Sequence, residues 1–271
     1  MRYALLAFLA CLPGTVWARD VPANVKSFYD RITDGKCTGG KILKDGFYDE
    51  IPGSKSMSFP SFLPPGQGIL SHPSLQAFAY CQDDKTGVLY LHGNGNKFAN
   101  MDVDCDGLQT GPVDGRCKSS TDTQSETAFK DTVQQYSRAD GHFVKDLNAN
   151  FIPYVVFGNY GKKKGYTTFH PTDYNVQPLS VMAVVYGIWG DENGDDGKPL
   201  VGEAAISLAT QCYGKKINGN NGHSQADVLY IAFPGGVNET VNKKAAWSTQ
   251  NYETFESSIM DLGNRLIEKL S

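Results

Sequence analysis

Short apolar runs closed off by Gly, Pro, Asn or Asp do most to limit what this chain can become. They lie at Ala77 to Cys81, Val88 to His92, Ile152 to Phe157, Val181 to Trp189, Glu203 to Ala209 and Val228 to Phe233. Runs of that length between turn residues favour β-strands over helices. A helical period shows in only a few places. Val25, Phe28, Tyr29 and Ile32 form one stripe, and Ala128, Phe129, Val133 and Tyr136 form a second after Ser125-Glu126. Tyr252, Phe255, Ile259, Leu262, Leu266 and Leu270 form the strongest, an amphipathic C-terminal helix expected to pack on a sheet. From Lys41 to Gln67 the chain is rich in Gly, Pro and Ser, which predicts loops and short edge strands. No repeat and no long Pro/Ser linker divides it. The expected architecture is one mainly β domain, barrel or sandwich, with peripheral helices.

The first 18 residues read as an export leader. Arg2 supplies the basic start, Ala4 to Leu12 the apolar core, and Val16-Trp17-Ala18 a small-x-small cleavage site. No later segment reaches the roughly 18 apolar residues of a membrane span. The reading is a signal peptide at 1–18, a single catalytic domain at 19–271, and a secreted, extracellular monomer with no membrane partner. The whole chain carries a formal charge of −4, which gives no electrostatic footing for nucleic acid. Cys11 leaves with the leader. Cys105 and Cys117 close a short Gly/Asp-rich loop and are the preferred disulfide, Cys37 with Cys81 the second choice, and Cys212 a buried free thiol. Asn238-Glu239-Thr240 is a glycosylation acceptor.

The chemistry centres on Trp189-Gly190-Asp191-Glu192-Asn193-Gly194-Asp195-Asp196-Gly197, followed by Val201-Gly202-Glu203-Ala204. Read as strand, turn and strand, this places Asp191 and Glu203 on either side of one bend. Two carboxyl groups facing one cleft are what glycosidic cleavage needs, one to give a proton and one to activate water. A solvated acidic hairpin tip is the bland alternative. Calcium is another, but counting twelve residues from Asp102 reaches Val113, and from Asp191 reaches Gly202. Neither supplies the bidentate Glu of a helix-loop-helix calcium site. Gly222-His223-Ser224-Gln225-Ala226 imitates a serine-hydrolase turn. It is preceded by polar residues instead of an apolar strand, and no histidine follows it. His72, His92, His142 and His170 show no close metal spacing, and no phosphate cradle is present. No metal and no cofactor is expected. Asp102, Asp104 and Asp106 alternate along a run and would face either water or a groove together; in a groove they would attract an amine-bearing ligand, and on a free surface they would mean little. Tyr160, Tyr166, Phe169, Tyr174, Tyr186 and Trp189 lie near the site in sequence; some could line sugar subsites, but any single one is expected in the core before it is expected as a sugar platform.

Several stretches together carry a resemblance. They are Leu91-His92-Gly93-Asn94-Gly95-Asn96, Met101-Asp102-Val103-Asp104-Cys105-Asp106-Gly107, Ile152-Pro153-Tyr154-Val155-Val156, and Tyr186-Gly187-Ile188-Trp189-Gly190-Asp191 with Val201-Gly202-Glu203-Ala204. From about residue 30 onward the chain resembles the secreted fungal chitosanases of glycoside hydrolase family 75. That resemblance implies endo-acting hydrolysis of β-1,4 links between glucosamine units by inversion and without a cofactor, with Asp191 and Glu203 as the essential acids. It also implies a six-stranded double-psi-like β-barrel with helices outside. Glu203, expected on the more buried strand, is assigned general acid, and Asp191, expected at the wetter loop edge, base. Asp102, Asp104, Asp106, Trp189 and Asn193 are expected to bind substrate. Activity should peak in mild acid, while the substrate amines are charged, and weaken with salt. The rival function is a non-catalytic, secreted polysaccharide-binding or wall-loosening protein on a similar barrel.

Overall fold

The computed structural model describes residues 21–49, 77–111, 113–120, 123–139, 141–183, 185–241 and 245–271. The export leader therefore lies outside the described residues, as does the 50–67 part of the Gly/Pro/Ser-rich stretch. The described chain is mainly β with four helices. Helix α1 (Ala23–Ile32) leads into β1 (Gly40–Asp49), β2 (Ala77–Asp83), β3 (Leu89–His92) and β4 (Ala99–Asp104). Then come α2 (Lys130–Ala139), β5 (Tyr154–Asn159), β6 (Val181–Ala183), β7 (Gly187–Asn193), β8 (Leu200–Val201) and β9 (Glu203–Ala205). The chain closes with α3 (Ile206–Tyr213), β10 (His223–Val228), β11 (Ile231–Ala232) and α4 (Tyr252–Glu268).

All strands join one 11-stranded mixed sheet in the order β10-β4-β9-β5-β7-β6-β11-β3-β2-β1-β8. Among the described residues the sheet does not close, and the six-stranded double-psi barrel expected from the resemblance is not confirmed. Large side chains fill the core: Tyr80, Tyr90, Tyr154, Phe157, Trp189 and Phe255 are all fully buried. Burying a side chain of that size stabilises by roughly 1.5–3 kcal/mol relative to leaving it exposed. Phe28 of α1 meets the Tyr90 ring edge-on at 5.7 Å. On α4, Phe255, Ile259 and Leu266 face inward, and the side chain of Asn251 caps the helix by accepting the Thr254 amide at 2.8 Å.

Some expected elements differ. Gly40–Asp49 is a ten-residue strand paired with β2, longer than the loops and short edge strands expected; bulges near Ile42 and Asp45 interrupt its register. The run from Val181 to Trp189 is two strands, β6 and β7, folded antiparallel on each other. The run from Glu203 to Ala209 is strand for three residues and helix beyond. Ile206, Ala209 and Cys212 are buried on α3, and an apolar run that short fits both periods equally. Tertiary contacts decide the matter: Ser207 donates its amide to the Ala149 carbonyl, and Arg116 donates to Thr210 Oγ1 at 2.7 Å. Both expected disulfides are present, Cys37–Cys81 and Cys105–Cys117, and Cys212 is a buried free thiol.

Candidate active site

Asp191 and Glu203 do not flank a hairpin. Strand β5 runs between their strands, parallel to β7 and antiparallel to β9, and its Val156 is the register partner of both acids. Two strand spacings therefore separate their Cα atoms, about 9.6 Å, and both acids project on the Val156 side of the sheet. Glu203 also pairs with Asp102 of β4, and Asp104 follows two residues later on the same face.

A bulge aims Asp191. Trp189 pairs with Val155 while Asp191 pairs with Val156, so Gly190 is the extra residue in β7. Without it, Trp189 and Asp191 would share one face. With it, Trp189 enters the core and Asp191 joins the other acids. Gly190 has no room for a side chain, because a Cβ there would lie 2.5 Å from Tyr154 Cβ.

Asp104 and Asp191 belong to strands three places apart, which a flat sheet would hold about 14 Å from each other. Yet carboxylate oxygens of Asp104, Asp106 and Asp191 lie within 4.8 Å of one another. The sheet curls, and these side chains meet on its concave side. Asp191 Oδ1 accepts the amides of Ala128 and Glu192, both at 2.8 Å. The buried Tyr154 hydroxyl lies 3.0 Å from Asp104 Oδ1 and 3.1 Å from the Asp106 carbonyl, with its proton to give to either. Asp104 Oδ1 also accepts the Asp106 amide, and Asp106 Oδ1 the Gln124 amide, each at 2.6 Å. One oxygen of each carboxylate thus accepts protein donors, and the three acids form a hydrogen-bonded cluster.

Burial is reversed from the expectation. Asp191 is 5% exposed, whereas Glu203 is partly exposed. The Asp191 carboxyl is held well above the ordinary aspartate range, first by burial and then by the Asp104 charge, with the Ala128 amide pulling the other way. Two unit charges 4.8 Å apart repel by about 3.5 kcal/mol at an effective dielectric of about 20. That repulsion adds to burial in favouring a proton on one acid of the pair, while the donors that reach both carboxylates act against it. Ala128, whose amide Asp191 binds, is exposed.

The remaining expected residues divide. Trp189 is fully buried, with Phe129 edge-on at 4.7 Å and its Nε1 donating to the Asp191 carbonyl. It is a core residue and cannot stack on sugar. Asp102 is 4% exposed, and its Oδ1 accepts the Val103 amide at 2.9 Å. Asp106 is partly exposed at the cluster, and Asn193 is partly exposed with its Nδ2 donating to the Leu200 carbonyl. Of the aromatics, Phe169 and Tyr186 are buried, while Tyr160 is 52% exposed beside His170.

Sequence reasoning missed Glu192, whose carboxyl is pushed up to about 7 by burial. It also missed the Ala128 amide and Tyr154. Tyr154 lay inside a motif that carried the resemblance, but nothing in its spacing pointed at Asp104.

The sequence matches a family model described as fungal chitosanase of glycosyl hydrolase group 75 over residues 101–269. It is 38% identical over 280 residues to an endo-chitosanase of Aspergillus oryzae (strain ATCC 42149 / RIB 40), covering all of this chain and 99% of that protein. An endo-chitosanase B of the same strain is 35% identical over 279 residues, and an endo-chitosanase of Aspergillus fumigatus 36% over 277. Each of those alignments also covers all of this chain and 99% of the relative.

Proposed function

The chain belongs to the fungal chitosanases of glycosyl hydrolase group 75, and from that premise we propose that it is an exported endo-chitosanase working by inversion, with Asp191 as general acid and Glu203 as general base. One observation carries the assignment of roles: Asp191 is buried against another carboxylate, and Glu203 sits partly open on the same face. A general acid must hold its proton at working pH, and a base must meet water. This reverses the roles expected from the sequence, because the burial on which they rested is itself reversed.

In the proposed reaction, Asp191 gives its proton to the glycosidic oxygen as the C–O bond to the anomeric carbon breaks. A water enters from the opposite face, forms the new C–O bond and loses a proton to Glu203. Inversion calls for carboxyl groups about 6.5–9.5 Å apart, and two strand spacings across β5 are compatible with that range. Asp106 and Asn193 are placed to meet the sugar, and Tyr160 offers an exposed ring face. Export is supported by the leader at the start of the sequence and by the exposed Asn238 in its acceptor motif. Among the described residues no helix is long and apolar enough to cross a membrane.

The test is incubation with soluble chitosan, chitin and a cellulose derivative, followed by reducing-end assay and anomer analysis of fresh products. Rapid loss of viscosity on chitosan with α-anomeric products is expected. Products that retain the β configuration would overturn the inverting mechanism, and no cleavage of chitosan would leave a non-catalytic binding protein. Asp191→Asn and Glu203→Gln should each lower kcat by about 10²–10⁴-fold with unchanged melting behaviour. Either variant keeping more than a tenth of wild-type turnover removes that residue from its role.

A further inference from the structure

Asp104 lies on a strand three places away from Asp191, yet its carboxylate comes within 4.8 Å of it. It is held there from below by the hydroxyl of Tyr154, a fully buried ring on the intervening β5. A residue that merely bound an amine on a groove floor would not need a buried tyrosine to fix it, nor would it need to face another acid. We propose that Asp104 is a positioning residue for Asp191: its fixed negative charge keeps the neighbouring carboxyl in the form that can give its proton to the leaving oxygen. The proposal rests on the reading of Asp191 as general acid given above.

Burial decides which of the pair carries the proton. Asp104 Oδ1 has the Tyr154 hydroxyl and the Asp106 amide as donors, and the residue is partly exposed, so both water and protein stabilise its anion. Asp191 likewise takes two donors on its Oδ1, but it is buried, and burial penalises its charge. Its Oδ2 is thus the oxygen that bears the proton. Around Asp191 stand Asp104 from β4, Asp106 from the turn after it, Tyr154 from β5, Glu203 from β9 and Glu192 from its own strand. Behind Ala128, Asp146 is taken up by Thr127 and Leu147, and Lys130 by Glu126. The charges named as acting on Asp191, those of Asp104 and Asp106, are both negative and push the same way. Asp104 neither gains nor loses a proton over the cycle. Asp191 recovers its own from solvent after each cleavage, and Glu203 returns one.

The experiment is a pH profile of kcat and KM on soluble chitosan for wild type, Asp104→Asn, Asp104→Glu and Tyr154→Phe, with melting curves for each. Asp104→Asn should lower kcat at neutral pH by about tenfold or more. Its falling alkaline limb should move to lower pH, activity should recover in acid, and KM should stay within about twofold. Asp104→Glu should restore the limb. Tyr154→Phe should move it in the Asp104→Asn direction by less, because the Asp104 anion loses a donor. An unmoved limb in Asp104→Asn overturns the proposal, and so does a raised KM with unchanged kcat, which would make Asp104 a substrate contact. If Asp104→Asn does not fold, Tyr154→Phe decides: a wild-type limb there also overturns it. Failure of the underlying assignment looks different, because Asp191→Asn would then stay active at every pH.

Discussion

At the residue scale, two glycines decide whether the acids meet. Gly190 creates the bulge that separates Trp189 from Asp191. Gly202 has φ +98°, and a Cβ on it would lie 2.6 Å from Asn100 Oδ1. Its carbonyl accepts the Asp102 amide at 2.7 Å, which locks β9 onto β4 and sets Glu203 opposite Asp102. An alanine at 202 would meet both the left-handed backbone and the Asn100 side chain. Gly202→Ala should therefore cost about 2 kcal/mol in denaturant unfolding and lower kcat by displacing Glu203. Wild-type stability in this variant would show that Asn100 yields freely and that the glycine is not what sets the register. The sequence displays both glycines beside the acids but not what they do, because the atoms that crowd them come from β4 and β5.

Among the elements, α4 shows how packing overrides propensity. Gly263 sits inside this 17-residue helix, where replacing glycine by alanine ordinarily stabilises by about 1 kcal/mol. Here the new Cβ would lie 2.5 Å from Tyr186 Cε1 and 2.6 Å from Cδ1, with that ring tied to the helix through its hydroxyl, which donates to Asn264 Oδ1 at 2.6 Å. Overpacking costs of about 1–3 kcal/mol outweigh the propensity gain. Gly263→Ala is therefore expected to lower Tm, and a raised Tm would mean that the helix slides freely over β6. The stripe from Tyr252 to Leu270 made this helix legible from sequence, since its period repeats over several turns. Helix α3 was not legible, because its eight residues follow directly from a strand and offer too few turns for a period to emerge.

For the whole molecule, covalent and ionic constraints set stability. The two disulfides span sequence separations of 44 and 12 residues. Chain-entropy reasoning makes the Cys37–Cys81 bridge worth about 4 kcal/mol and Cys105–Cys117 about 3 kcal/mol. Serine replacement of each pair, followed by denaturant unfolding, should preserve that order; the reverse order would contradict the entropic account. Protonation adds a pH dependence. Burial lifts the Glu192 carboxyl to about 7 and that of Asp49 to about 6, and it raises Asp191 as well. Unfolded, such groups titrate near about 4. In that window the folded chain holds more protons, so this contribution is full below the unfolded value and is lost as pH rises through the folded ones. Asp83 acts in the opposite sense. Burial works against its charge, but the bonds from Thr86 and Arg31 win and lower it. Its contribution is present above the ordinary aspartate value and disappears in stronger acid. Tm should therefore rise between about pH 8 and about pH 5 and turn down only below that; a Tm that falls steadily across this range would refute the balance.

Local signals were enough to establish a mainly β chain with an amphipathic C-terminal helix and the two motifs that hold the acids, and the short loop pointed to Cys105–Cys117, whereas Cys37–Cys81, 44 residues apart, is only a second choice. Strand period, turn residues and short loop spacing are properties of neighbours along the chain, and so they can be read there. The placement of β5 between the acids, the curl that brings Asp104 to Asp191, and the exchange of buried and exposed roles between Asp191 and Glu203 came only from tertiary structure. Strand order and side-chain burial depend on contacts between residues distant in the chain, and these contacts leave no periodic mark in the order of amino acids.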